Sequence, residues 1–144
     1  MREAEPNPSV LIQFHAGHKL LIMAHNEALM REMGRLVANM SDLNFEDTLD
    51  QYESLLMRAL KCPSSRKRHV NVLQHLAGFL KEALTSSEKE ELDGIFDEYK
   101  HGWAPLITPM TLLEHHLKKI DNAWVQAQHY LQPYPRSLAL RSQI

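Results

Sequence analysis

The chain has 144 residues, enough for one domain of ordinary size with a single hydrophobic core. Apolar residues make up 44% and charged residues 24%, a balance that excludes a disordered chain, and the single Cys62 excludes an internal disulfide or an iron–sulfur cluster ligated by several cysteines of this chain. The formal net charge of −2 excludes a uniformly basic polyanion binder and directs attention to how the charge is distributed.

Residues 1–9 form a polar, proline-bearing lead-in, with Ser9 in capping position for a first helix over about 10–25. This is the longest apolar-rich stretch. Gln13, His15, His18 and Lys19 interrupt it, so it is too polar and too short to span a membrane. With no charged-then-apolar leader at Met1 to Pro6, a cytoplasmic location is expected. Asn26 caps a second helix over about 27–39, with an apolar stripe of Ala28, Leu29, Met33, Leu36 and Val37. A third helix runs from Asn44 to near Cys62, burying Phe45, Leu49, Tyr52, Leu55, Leu56, Ala59 and Leu60. After the Pro63-Ser64-Ser65 turn, Arg66 to Arg68 lead into a central helix over His69 to Leu84.

Thr85 and Glu88 form a capping box for a fifth helix over about 87–100, with Leu92, Ile95, Phe96 and Tyr99 inward and Gly102 as its stop. Thr108-Pro109 opens a helix over 109–119. Asp121 caps a last one over about 122–131, before Pro133-Tyr134-Pro135 and an alternating apolar tail of Leu138, Leu140 and Ile144. The expected fold is therefore all-α, one globular domain over 10–144 of about seven helices with an extended C-terminal tail.

The central helix carries Asn71, Gln74, His75 and Gly78 at i, i+3, i+4 and i+7, on one face of an otherwise apolar rod. Buried without partners, such groups cost about 1–3 kcal/mol each. The stripe is either a satisfied core network or the floor of a pocket, with His15, His18 and Lys19 of the first helix opposite it. Histidines His15 and His18 at i, i+3, with His75 and His115, could build a metal-dependent site. No HExxH or CxxC spacing accompanies them, and hydrogen bonding to neighbouring helices or exposure to solvent is the favoured account of them. Cys62 before a turn is a weaker candidate nucleophile.

Charge is segregated. Ser54 to Lys81 contains no acid but includes Arg58, Lys61, Arg66, Lys67 and Arg68, and the acid-free C-terminal end carries Arg136 and Arg141. A run of this kind is either a solvated face or a set of phosphate contacts. Tyr130 and Tyr134 near Arg136, and Trp103 near Lys100, are aromatic residues that could stack on bases beside such contacts.

The order Phe14-His15-Ala16-Gly17-His18-Lys19, Met23-Ala24-His25, Gly34-Arg35-Leu36-Val37, then His69 to His75 (HVNVLQH), Pro105-Leu106-Ile107, and finally Tyr130-Leu131 with Pro133-Tyr134-Pro135 resembles the YbgA-like domain family. The resemblance covers about Val10 to Ile144. It implies a bacterial cytoplasmic protein of a kind that occurs alone, sometimes encoded near a DNA photolyase, or fused behind a cysteine-rich desulfidase domain acting on thiolated pyrimidines. In the fused form the domain is thought to recruit tRNA. Carried over, the resemblance implies ligand contacts at His15, His18, Lys19, Arg35, Asn71, Gln74 and His75. Relatives usually have arginine where this chain has Gly17, and many have tyrosine at His116, so any contact that the arginine makes is absent or replaced here.

The leading expectation is a non-catalytic nucleic-acid-binding or accessory domain, without cofactor or metal. It would recruit tRNA for a separately encoded enzyme acting on thiolated nucleosides, with Arg58, Lys61, Arg66, Lys67, Arg68, Tyr134, Arg136 and Arg141 meeting the nucleic acid. The alternatives are a small-molecule or metal-dependent enzyme using the histidines, and a structural partner of a desulfidase or photolyase.

Overall fold

The computed structural model describes residues 7–131. They form an all-α structure of seven α-helices and two short 3-10 turns, with no strand among the described residues. The helices gather into two compact units. The first takes residues up to Pro63 together with Ala127–Tyr130, and the second takes Ser64–Gln126 with Leu131.

In the first unit, α1 (Pro8–His25), α2 (Glu27–Ala38) and α3 (Phe45–Lys61) pack against one another. Asn7, not Ser9, caps α1. Its side chain accepts from the Val10 amide, and Pro8 occupies the first turn, where its missing N–H leaves nothing unsatisfied. The helix therefore begins inside the expected lead-in. Asn26 both ends α1 and caps α2 as expected, accepting from Leu29 N. Asn44 accepts from Glu46 N and Asp47 N to start α3. The junction between α1 and α2 is pinned to the end of α3: His25 Nδ1 bonds the Cys62 carbonyl at 2.9 Å and Asn26 Nδ2 donates to Cys62 Sγ at 3.4 Å. Of the expected α3 core, Leu49, Tyr52 and Ala59 are buried, whereas Leu60 faces solvent with Met57.

In the second unit, α4 (Arg66–Gly78), α5 (Ser86–Lys100) and α6 (Ile107–Leu117) pack mutually, followed by the short α7 (Ala123–Gln126). The basic triplet begins α4 rather than leading into it, because Ser65 caps the helix by accepting from Arg68 N. The helix stops at Gly78 instead of Leu84. Beyond it the bonds tighten to i+3 turns, Phe79 N to Leu76 O and Leu80 N to Ala77 O, which still carry Leu80 and Leu84 into buried positions. Apolar spacing alone could not separate this turn from continued helix, and Gly78, poor in a helix by about 1 kcal/mol against alanine, marks the break.

The α5 capping box forms in both directions, Glu88 N to Thr85 Oγ1 and Thr85 N to Glu88 Oε1. Leu106, not Thr108, precedes α6, so Pro109 is the third residue of the helix, still within the first turn, where N–H groups need no helical acceptor. Asn122 rather than Asp121 starts α7, accepting from Val125 N, and the expected helix over 122–131 is broken into α7 and a 3-10 turn over His129–Leu131. The apolar tail, Tyr134, Arg136 and Arg141 lie outside the described residues.

Candidate functional site

One side of α4 presents a polar surface on the second unit. Val70, Val72, Leu73 and Leu76 are buried along one side of the helix. Helical spacing puts Lys67, Asn71, Gln74 and Gly78 (i, i+4, i+7, i+11) on the opposite side, flanked by Arg68 and His75. Gln74, His75 and Gly78 are exposed and Asn71 is half-buried. The stripe is open to solvent, not a sealed core network, and nothing lies within 4 Å of where a Gly78 Cβ would stand, so Gly78 admits no close-packed neighbour. The helix contains no acid.

The basic triplet divides. Lys67 and Arg68 lie on the amide-bearing face, whereas Arg66 turns away. Its guanidinium donates to the Tyr99 carbonyl at 2.8 Å and the Ala104 carbonyl at 3.2 Å and lies 4.8 Å from the Tyr99 ring centroid. The Tyr99 ring is buried, and burial pushes its hydroxyl up to about 12. Arg66 therefore clasps the loop after α5 to the start of α4.

The other predicted ligand residues lie in the first unit. His15 is buried, and its Nδ1 shares a 2.9 Å hydrogen bond with the Tyr52 hydroxyl. Burial and then the Lys19 ammonium hold the His15 imidazole below its ordinary pKa. His18 is stacked between Phe14, 4.1 Å away, and His129, 3.9 Å away, and its Nδ1 bonds the Phe14 carbonyl. Burial holds it low too, against the pull of that carbonyl. Both imidazoles thus have packing partners in place. Lys19 is half-buried, and Arg35 is exposed in the last turn of α2. Arg58 and Lys61 are exposed in the last turn of α3.

Among the described residues no group of three or more His, Cys, Asp or Glu side chains is placed to hold a metal ion, and His115 is exposed on α6. Cys62 Sγ accepts from Asn26 and donates to the Arg58 carbonyl at 3.5 Å. No helix among the described residues is long and apolar enough to cross a membrane.

Sequence reasoning passed over two features, the first of which has no local signal. Gln128, fully buried, reaches α1 from 108 residues away: its amide donates to Ala16 O at 2.6 Å and its oxygen accepts from Leu20 N at 3.3 Å. The strap it belongs to crosses α1 at Gly17, where a Cβ would come within 3.3 Å of the His129 ring and 3.4 Å of the Ala127 carbonyl. His101 is the second, and a hint was available for it: a glycine between two aromatic residues, at a helix end, can bring both rings to one side.

Fold and site together define an all-α protein with an acid-free, cationic and amide-bearing helix face. The family model described as "Protein of unknown function (DUF1722)" matches residues 19–135, and the chain is 30% identical over 132 residues, 91% of its length and 78% of the relative's, to "Uncharacterized protein YbgA" of Escherichia coli (strain K12). The chain belongs to this family. No solved structure matches it.

Proposed function

We propose that this protein is a non-catalytic RNA-binding domain, with tRNA as its partner, serving a separately encoded enzyme that acts on thiolated nucleosides. The observation that carries this reading is the α4 face, where exposed Lys67, Gln74 and His75 share one side of the helix with half-buried Arg68 and Asn71, and α4 itself contains no acidic residue. Cations of this kind neutralise backbone phosphates, and amides and imidazoles beside them are suited to hydrogen-bond sugar hydroxyls and base edges. The choice of tRNA, and of the enzyme served, rests on the family resemblance alone. Arg58 and Lys61 are exposed on α3 of the first unit, and Arg66 serves the fold.

A fluorescence-anisotropy titration of tRNA across salt concentrations tests the reading. Affinity should fall log-linearly with salt. Lys67→Ala should make the slope shallower by about 0.7–0.9, the contribution of one phosphate. Absence of tRNA binding at low salt would remove the proposal.

A further inference from the structure

The loop after α5 carries a feature that the fold does not use. At the end of α5, Gly102 N donates to Tyr99 O and Trp103 N donates to Glu98 O, while Gly102 takes φ +80°. This is a Schellman cap, in which the residue in Trp103's position ordinarily packs its apolar side chain back onto the last turn of the helix. Here the last turn offers Glu98 and Asp97, both exposed, and Trp103 is left 73% exposed, the most exposed large apolar side chain among the described residues. It stacks on His101, ring centroids 4.7 Å apart and planes 21° from parallel. His101 is itself held, its Nδ1 2.8 Å from the Asp97 carbonyl and 3.4 Å from the Asp97 carboxylate. Arg66 fixes the backbone on both sides of the pair through Tyr99 O and Ala104 O. Two rings are thus pre-set in parallel beside the start of α4, with one indole face covered by imidazole and the other open.

We propose that the His101–Trp103 pair is a stacking platform for an unpaired nucleobase of the bound RNA; this rests on the RNA-binding reading of the α4 face. An aromatic ring is indifferent to base identity and is worth most where it is already rigid. The local charge separates base from phosphate. Asp97 and Glu98, both exposed, repel a phosphate at the α5 end, so the group seated there is a neutral ring. An apolar protein segment would need a wider continuous apolar patch than a single indole rimmed by Lys100, Asp97 and Glu98.

The test compares wild-type protein with Trp103→Ala, Trp103→Phe and Lys67→Ala, using an unstructured oligoadenylate, a blunt RNA duplex and tRNA as probes. Trp103→Ala should weaken oligoadenylate binding about 5- to 100-fold, with the salt slope unchanged and duplex binding unaffected. Trp103→Phe should restore most of the loss, and Lys67→Ala should change the slope instead. Because the cap is made by backbone atoms, the circular dichroism and melting temperature of Trp103→Ala should match wild type. Equal oligoadenylate affinity of Trp103→Ala and a tRNA-binding wild type would overturn the platform alone and leave the ring as a protein contact. Failure of the wild type to bind tRNA or oligoadenylate at low salt would overturn the RNA reading as well.

Discussion

A hydrogen bond between two buried side chains constrains both of them. His15 and Tyr52 share one in the first unit, and the His15 ring also fills the space left by Gly34, whose Cβ would lie 3.3 Å from Nε2. Tyr52→Phe should destabilise the protein by about 1–3 kcal/mol in denaturant unfolding, because it leaves a buried imidazole nitrogen unsatisfied. The same burial has a pH consequence. His15 and His18 are both held below the ordinary 6.5, so as pH falls the unfolded chain takes up these protons before the folded one does. The stability they contribute is present above pH 6.5 and is lost as pH falls through their lower folded values. The melting temperature should therefore decline as the pH is lowered below 6.5. His18→Phe, which preserves a ring between Phe14 and His129, should make that decline shallower.

Elements are joined here by a small number of specific devices. The strap Ala127–Tyr130 docks on α1 through Gln128 and passes over Gly17. An arginine at position 17 has no room beneath this strap as it lies here. Gly17→Arg should displace Ala127 to Tyr130, raising hydrogen exchange there and lowering stability by about 1–3 kcal/mol, a usual cost of overpacking. Unchanged exchange would mean that the strap already lifts easily.

The α5 start is a second device. Glu88 completes the capping box and meets Lys119 at 2.9 Å. The Thr85 backbone N–H and the Lys119 hydrogen bond hold its carboxyl down at about 2, from 4.5. Its contribution is complete above pH 4.5 and is lost as pH falls from there toward 2. Glu88→Gln should flatten that acid limb of the stability curve, and Thr85→Ala should cost about 0.5–2 kcal/mol as a lost cap.

Over the whole molecule, a net charge of −2 conceals a chain that sorts its charges by helix. α4 carries no acid, while exposed Glu90, Glu91, Asp93, Asp97 and Glu98 follow on α5. On the proposed reading, adjacent cations of one short run have different tasks. Arg66→Ala should lower the melting temperature, by about 1.5–3 kcal/mol of stability, because it strips charged hydrogen bonds from the Tyr99 and Ala104 carbonyls. Lys67→Ala should leave the melting temperature unchanged and weaken RNA binding across sequences. A single experiment on the two variants, thermal melting beside tRNA titration, separates the structural cation from the binding one.

The amino-acid order by itself determined the helical class, the caps at Asn26, Asn44 and Thr85, the stop at Gly102 and the family, because each is written in neighbouring residues within a turn or two. It also placed Asn71, Gln74, His75 and Gly78 on one helix face, since helical spacing is local geometry, whereas Lys67 joined them only because Ser65 starts the helix three residues earlier. Whether that face was sealed or open, which of three consecutive cations bound the fold, and where Gln128 went were decided only by tertiary structure. Burial and long-range hydrogen bonds depend on which segments meet in space, and no local periodicity encodes a partner 108 residues away. The same reason explains Trp103: its helix end was legible as a glycine stop, but that its indole would stand uncovered on His101 followed only from the three-dimensional course of the cap.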